Sequence, residues 1–132
     1  MLRILLADDN SAVLDQVSRM LAKDYEIVAA VKEGYEVVQE CLRLKPDVIV
    51  LDISMGEVSG IDLARELRDC GCRSKIVFLT VHEDYDFVNA AIGSGASAYV
   101  VKSRLGADLM LGIEAAAAEK LFVSSNLMYQ RS

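Results

Sequence analysis

Five residues carry the chemistry this chain can offer: the acidic pair Asp8-Asp9, then Asp52, Thr80 and Lys102, each at the end of an apolar run of the kind that forms a strand. Singly, each has an ordinary explanation. Asp8, Asp9 and Asn10 read as helix-capping residues, Asp52 as a turn residue, Thr80 as a strand former, and Lys102 as a surface amine lying along apolar surface. Together they are harder to dismiss, because acids gathered on one rim repel and need a counter-ion. A hard divalent cation meets that need. Mg2+ takes oxygen ligands and is commonly held by one or two carboxylates plus a phosphate. The set therefore predicts a Mg2+ site at Asp9 and Asp52, with Asp8 nearby or acting through water. A carboxylate is also a nucleophile able to form an acyl phosphate. Phosphoryl transfer needs positioning and neutralised equatorial oxygens. The cation, the Lys102 ammonium and the Thr80 hydroxyl would supply three such contacts.

The elements that must position these groups are legible as a rhythm. Five runs read as strands: Arg3 to Ala7, Glu26 to Val31, Val48 to Leu51, Lys75 to Leu79 and Ala98 to Val101. They are mostly continuous rather than alternating, as suits strands covered on both faces of a parallel sheet. Between and after them lie five stripes at helical spacing: Val13, Leu14, Val17 and Leu21; Val37, Val38, Cys41 and Leu42; Leu63, Ala64 and Leu67; Val88, Ala91 and Ile92; Leu109, Ile113 and Ala116. Asn10 or Ser11 caps the first helix, and Gly95 sits where the fourth stops. Strand and helix alternate five times, which predicts a three-layer α/β sandwich with right-handed crossovers. In such a sheet ligands bind beyond the carboxyl ends of the strands, where the five residues fall.

Composition agrees. The chain has 132 residues, 53% of them hydrophobic and 26% charged, enough apolar material for one packed domain. The net charge of −6 argues against direct nucleic-acid binding, which needs an excess of Lys and Arg. The longest charge-free stretch, residues 87–101, is interrupted by Asn89, Gly93, Ser94, Gly95 and Ser97 and falls short of the roughly 20 apolar residues that cross a bilayer. No membrane association is expected. No signal peptide is visible, so a cytoplasmic location is expected. Three cysteines, Cys41, Cys70 and Cys72, are expected to be reduced thiols. Cys70-Gly71-Cys72 lacks the further ligands a zinc site needs.

The motifs resemble the receiver domain of bacterial two-component response regulators. The resemblance covers residues 2 to about 120. It is carried by Leu5-Leu6-Ala7-Asp8-Asp9-Asn10, by Pro46-Asp47-Val48-Ile49-Val50-Leu51-Asp52 with Met55 and Gly60, by Phe78-Leu79-Thr80, and by Gly95-Ala96 leading to Tyr99-Val100-Val101-Lys102. It implies a flavodoxin-like (βα)5 fold with a five-stranded parallel sheet in the order 2-1-3-4-5. It implies that Asp52 is the phosphoacceptor, that Asp8, Asp9, Asp52 and the main-chain carbonyl of Ser54 hold Mg2+, and that Thr80 and Lys102 bind the phosphoryl group. Tyr99 would be an aromatic switch turning inward as Thr80 moves. The donor would be a sensor histidine kinase. Output would pass through the fourth helix, fifth strand and fifth helix, by homodimerisation or partner docking. Thr80-Val81-His82-Glu83 and Tyr99 to Ser103 look most like the NarL/FixJ-type subfamily, whose members usually carry a C-terminal helix-turn-helix and control transcription.

Some positions depart from the common pattern. Gly56 stands where many members have Pro, which is expected to loosen the loop after Asp52. Val81 replaces a frequent small residue. Ser103 replaces a frequent Pro after a usually cis bond, and cis Lys102–Ser103 would cost about 3 kcal/mol without it. His82 reads as a loop residue beside the pocket, able to influence loss of the phosphoryl group. The expected division is a receiver domain over 1–120 and a tail or linker start over 121–132. Other readings stay open: a stand-alone receiver acting by protein contacts, a receiver that is not phosphorylated, and a Mg2+-dependent aspartyl phosphatase. A flavodoxin-type carrier is disfavoured because the first strand–helix turn is acidic where a flavin phosphate needs N–H donors.

Overall fold

The computed structural model describes residues 1–124. The uninterrupted aliphatic runs form β1 (Arg3–Ala7), β2 (Glu26–Val31), β3 (Val48–Leu51), β4 (Lys75–Thr80) and β5 (Ala98–Val101). The striped segments form α1 (Ser11–Leu21), α2 (Gly34–Leu44), α3 (Gly60–Asp69), α4 (Tyr85–Gly93) and α5 (Leu105–Ala117). The strands are parallel neighbours in the expected order 2-1-3-4-5. A sixth short strand, β6 (Phe122–Val123), pairs in parallel with β5 and extends the sheet to 2-1-3-4-5-6. The expected tail thus begins as part of the sheet, and its remainder, residues 125–132, lies outside the described residues.

Alternation along each strand sends side chains into two cores. Leu5, Ile49, Leu51, Phe78 and Tyr99 face α2, α3 and α4, packing with Val37, Leu67 and Val88. Ile4, Leu6, Val50, Val77 and Val100 face α1 and α5, packing with Leu14, Val17, Leu109 and Ile113. Both faces of the central strands are covered, which explains why their sequences are apolar without a break. Each fully buried aliphatic side chain contributes about 1.5–3 kcal/mol. No helix among the described residues is long and apolar enough to cross a membrane.

Helix ends follow local chemistry. The Asn10 side chain caps α1, its carbonyl oxygen accepting from the N–H groups of Ala12 at 2.9 Å and Val13 at 3.2 Å. Gly95, at φ +97°, takes the left-handed conformation just beyond α4. Every peptide bond among the described residues is trans, Lys102–Ser103 included. That is the form expected for a non-proline bond.

Candidate functional site

Register brings the acids together. Ala7 pairs with Leu51 at the ends of β1 and β3, so Asp8 and Asp52 emerge side by side one residue later. The Asp52 N–H donates to the Ala7 carbonyl at 3.0 Å and holds that alignment. At the far side, Thr80 pairs with Val101, which sets Lys102 one step beyond the β4–β5 ladder. Lys102 then leaves the sheet in a single turn of 3-10 helix, Lys102–Arg104, and its side chain returns over the rim.

The Lys102 ammonium bridges the two buried acids. Its Nζ lies 2.8 Å from Asp8 Oδ2 and donates to Asp52 Oδ2 at 3.0 Å. Asp8 Oδ2 is buried against this ammonium. The other Asp8 oxygen accepts from the Asn10 N–H at 2.8 Å, and Asp52 Oδ1 accepts from the Ser54 N–H at 3.1 Å. Asp9 is exposed, and its Oδ2 accepts from the Gly56 N–H at 3.2 Å. Oxygens of Asp8, Asp9 and Asp52 all fall within 4.8 Å of one another. An oxygen-only set of three carboxylates, two of them buried, fits a hard cation.

Electrostatics at the rim are tuned by burial. Burial pushes the Asp52 carboxyl above its ordinary range. The Lys102 hydrogen bond opposes that rise, and the Asp8 charge reinforces it. Burial pulls Lys102 down, but its contacts with Asp8 and Asp52 outweigh this and raise it overall. The ammonium therefore stays charged and offsets part of the repulsion between the two acids.

Thr80 and Tyr99 meet at His82 rather than at Asp52. Thr80 is fully buried, and its Oγ1 accepts from the His82 N–H at 3.2 Å. The Tyr99 side chain is also fully buried, and its hydroxyl donates to the His82 carbonyl at 2.8 Å. Burial is the main reason the Tyr99 phenol is raised above its ordinary range, with the Asp84 charge next. Ser54 Oγ and His82 Nε2 are hydrogen-bonded at 2.8 Å, and the imidazole stacks on Phe87 with centroids 4.0 Å apart. The expectation of His82 as a loop residue beside the pocket did not include this role as a hub. Its position two residues after Thr80, opposite Ser54 two residues after Asp52, was the available signal.

The loop after Asp52 is built around Gly56. Ser54–Met55 and Val58–Ser59 pair as a small antiparallel hairpin. Gly56 is the first residue of its two-residue loop, at φ +64°, a conformation that favours glycine and that proline cannot adopt. Here glycine closes a turn. Gly60 has a different task. Its N–H donates to the Ile53 carbonyl at 2.5 Å, and a Cβ there would stand 2.2 Å from the Asp52 carbonyl oxygen.

Residues 4–114 match the family model described as the response regulator receiver domain. The chain belongs to that family. The receiver is 31% identical over 136 residues to a nitrate/nitrite response regulator protein homolog of Haemophilus influenzae, an alignment covering 99% of this chain and 65% of that protein. It is 31% identical over 130 residues to the oxygen regulatory protein NreC of Staphylococcus aureus, covering 96% of this chain and 59% of that one. The receiver therefore spans less than two thirds of the length of these curated relatives. A LuxR-family two-component response regulator from Aurantimonas sp. SI85-9A1 superposes with a TM-score of 0.92 at 29% identity, covering 96% of this chain and 92% of that chain. These relatives agree with the NarL-type subfamily signalled by Thr80 to Glu83 and Tyr99 to Ser103.

Proposed function

We propose that this receiver is a phosphoacceptor switch: Asp52 takes a phosphoryl group from a sensor histidine kinase in a Mg2+-dependent step, and the fourth-helix, fifth-strand and fifth-helix surface then changes its partners. The observation that carries the proposal is the Lys102 ammonium held between the Asp8 and Asp52 carboxylates. Asp8, Asp9, Asp52 and the Ser54 carbonyl would hold Mg2+. When bound, the cation would neutralise carboxylate and phosphoryl charge at the rim.

The chain's own residues supply the rest. An Asp52 carboxylate oxygen attacks phosphorus, a P–O bond forms, and the bond from phosphorus to the kinase imidazole breaks. Lys102, already beside Asp52, turns its ammonium to a phosphoryl oxygen. Thr80 accepts from His82 through its oxygen, which leaves its own O–H to donate to another. The phosphorylated state is favoured by contacts the unmodified one lacks, so the switch is a population shift. Tyr99, bonded to His82, links that shift to β5. The output is homodimerisation or partner docking, and in a longer regulator it is control of transcription. The receiver itself is a signalling component, with nucleic acid left to other parts of such a regulator.

The test uses acetyl phosphate, or beryllofluoride, with and without Mg2+. Acetyl phosphate should add one phosphoryl mass only with Mg2+, and beryllofluoride should shift amide resonances of α4 and β5. Asp52→Ala should abolish both effects. Absence of any Mg2+-dependent, Asp52-dependent change would refute the switch. Multiple turnover of external phosphoesters, lost with Asp52→Ala, would instead identify an aspartyl phosphatase.

A further inference from the structure

At the opposite end of the sheet from Asp52, where the strands begin, a cavity of about 580 Å3 is lined by Cys41, Leu42, Lys45, Arg73, Ser74 and neighbouring residues. Cys72 also lines it. Cys41 belongs to α2 and Cys72 to the loop between α3 and β4, 31 residues apart in sequence, yet their sulfurs lie 2.7 Å from each other. Two thiols at that separation need little movement to reach the S–S bond length of about 2.05 Å.

The surroundings give the two sulfurs different parts. Cys41 is buried, and burial with the Cys72 contact pushes its thiol up to about 12, so it keeps its proton. Cys72 is partly exposed and lines the cavity. Its loop is fixed. Arg68 donates to the Cys72 and Ser74 carbonyls, each at 3.1 Å, and Ser74 Oγ donates to the Pro46 carbonyl at 2.5 Å. Cys41 Sγ also contacts Ser74 Oγ at 3.7 Å. The pair is therefore held together by the fold on both sides. Cys70, two residues before Cys72, is an exposed free thiol.

We propose that Cys41 and Cys72 are a redox-modification site at which a hydroperoxide closes a disulfide between α2 and the loop after α3. The Cys72 sulfur attacks one peroxide oxygen, the O–O bond breaks, and the other oxygen leaves with the Cys72 proton as water or alcohol. The Cys41 sulfur then attacks the Cys72 sulfenic acid. The S–S bond forms, the S–O bond breaks, and hydroxide leaves with the Cys41 proton as water. The two sulfurs lose two electrons in all, and the peroxide is reduced by two. Among intracellular proteins such pairs serve as redox sensors more often than as permanent staples. This site is independent of Asp52 chemistry.

Treatment of the full chain with a modest excess of hydrogen peroxide tests the proposal. The treated protein is unfolded, alkylated with N-ethylmaleimide, and analysed by intact mass and non-reducing peptide mapping. Untreated protein should carry three labels, one for each cysteine. Oxidised protein should carry one, on Cys70, with a peptide linking Cys41 to Cys72. Cys70→Ser should keep the link, and Cys72→Ser should lose it. Three labels after peroxide, or a link that uses Cys70, would overturn the assignment. The wild-type map decides on its own, so the result does not depend on either variant folding.

Discussion

The hydroxyl of Tyr99 donates a 2.8 Å hydrogen bond to the main-chain carbonyl of His82. The same residue's N–H reaches Thr80 and its ring reaches Ser54 and Phe87. One loop residue therefore joins the end of β4, the middle of β5, the hairpin after Asp52 and the first turn of α4. Tyr99→Phe removes one bond and keeps the ring. It should lower stability by about 1 kcal/mol, seen as a lower urea midpoint at unchanged slope. An unchanged midpoint would show that the bond does not anchor the loop.

Lys102→Met leaves Asp8 and Asp52 facing each other without their shared cation. In EDTA it should cost about 3 kcal/mol, the usual consequence of removing one partner from a buried ion pair. Millimolar Mg2+ should restore more stability to the variant than it adds to the parent, because the ion replaces the lost charge. Equal Mg2+ increments in thermal melts of the two proteins would contradict a common site.

Asp52 and Lys102 predict opposite edges of a pH profile. The Asp52 carboxyl is raised in the folded protein, so between its ordinary value of 3.8 and its raised value the folded state binds more protons than the unfolded chain. Stability due to this group should fall as pH rises through that window. Asp52→Asn should remove that slope. Lys102 is raised above 10.5, so its contribution is complete below that value and is lost as pH climbs through the higher folded one. Urea titrations from about pH 4 to 7, and again above about pH 10, check both signs.

Two glycines should respond in opposite directions. Gly60→Ala places a methyl 2.2 Å from the Asp52 carbonyl oxygen and should destabilise by about 2–3 kcal/mol while displacing Asp52. Gly93→Ala, at the end of α4, meets nothing within 4 Å and should stabilise by about 0.5–1 kcal/mol. Thermal melts of the two variants decide.

Much of this arrangement could be read from residue order. The strands were legible because burial on both faces forces unbroken aliphatic runs, and four of the five keep the predicted limits while β4 gains Thr80. The meeting of Asp8, Asp9, Asp52 and Lys102 was legible because parallel strands all end on one rim and carry their next residues there. Three features were hidden. The hairpin at 54–59 is two residues a side, too short for alternation to show. Strand β6 is equally short and depends on pairing with β5 rather than on its own pattern. The Cys41–Cys72 contact joins residues from separate elements, and no periodicity reports such a meeting. His82 was legible as a loop residue beside the pocket from its place two after Thr80, but its bonds to Ser54 and Tyr99 join separate elements that spacing alone does not connect.

Strand β6 ends at a knot of main-chain ties. Ser124 gives its N–H to the Tyr99 carbonyl at 2.9 Å, and its hydroxyl oxygen takes the Val101 N–H at 3.0 Å. Both tied residues lie within three positions of Lys102. Force transmitted along the polypeptide at residue 124 would thus be borne first by the segment presenting the amine, and strain at the amine would travel out by the same strap.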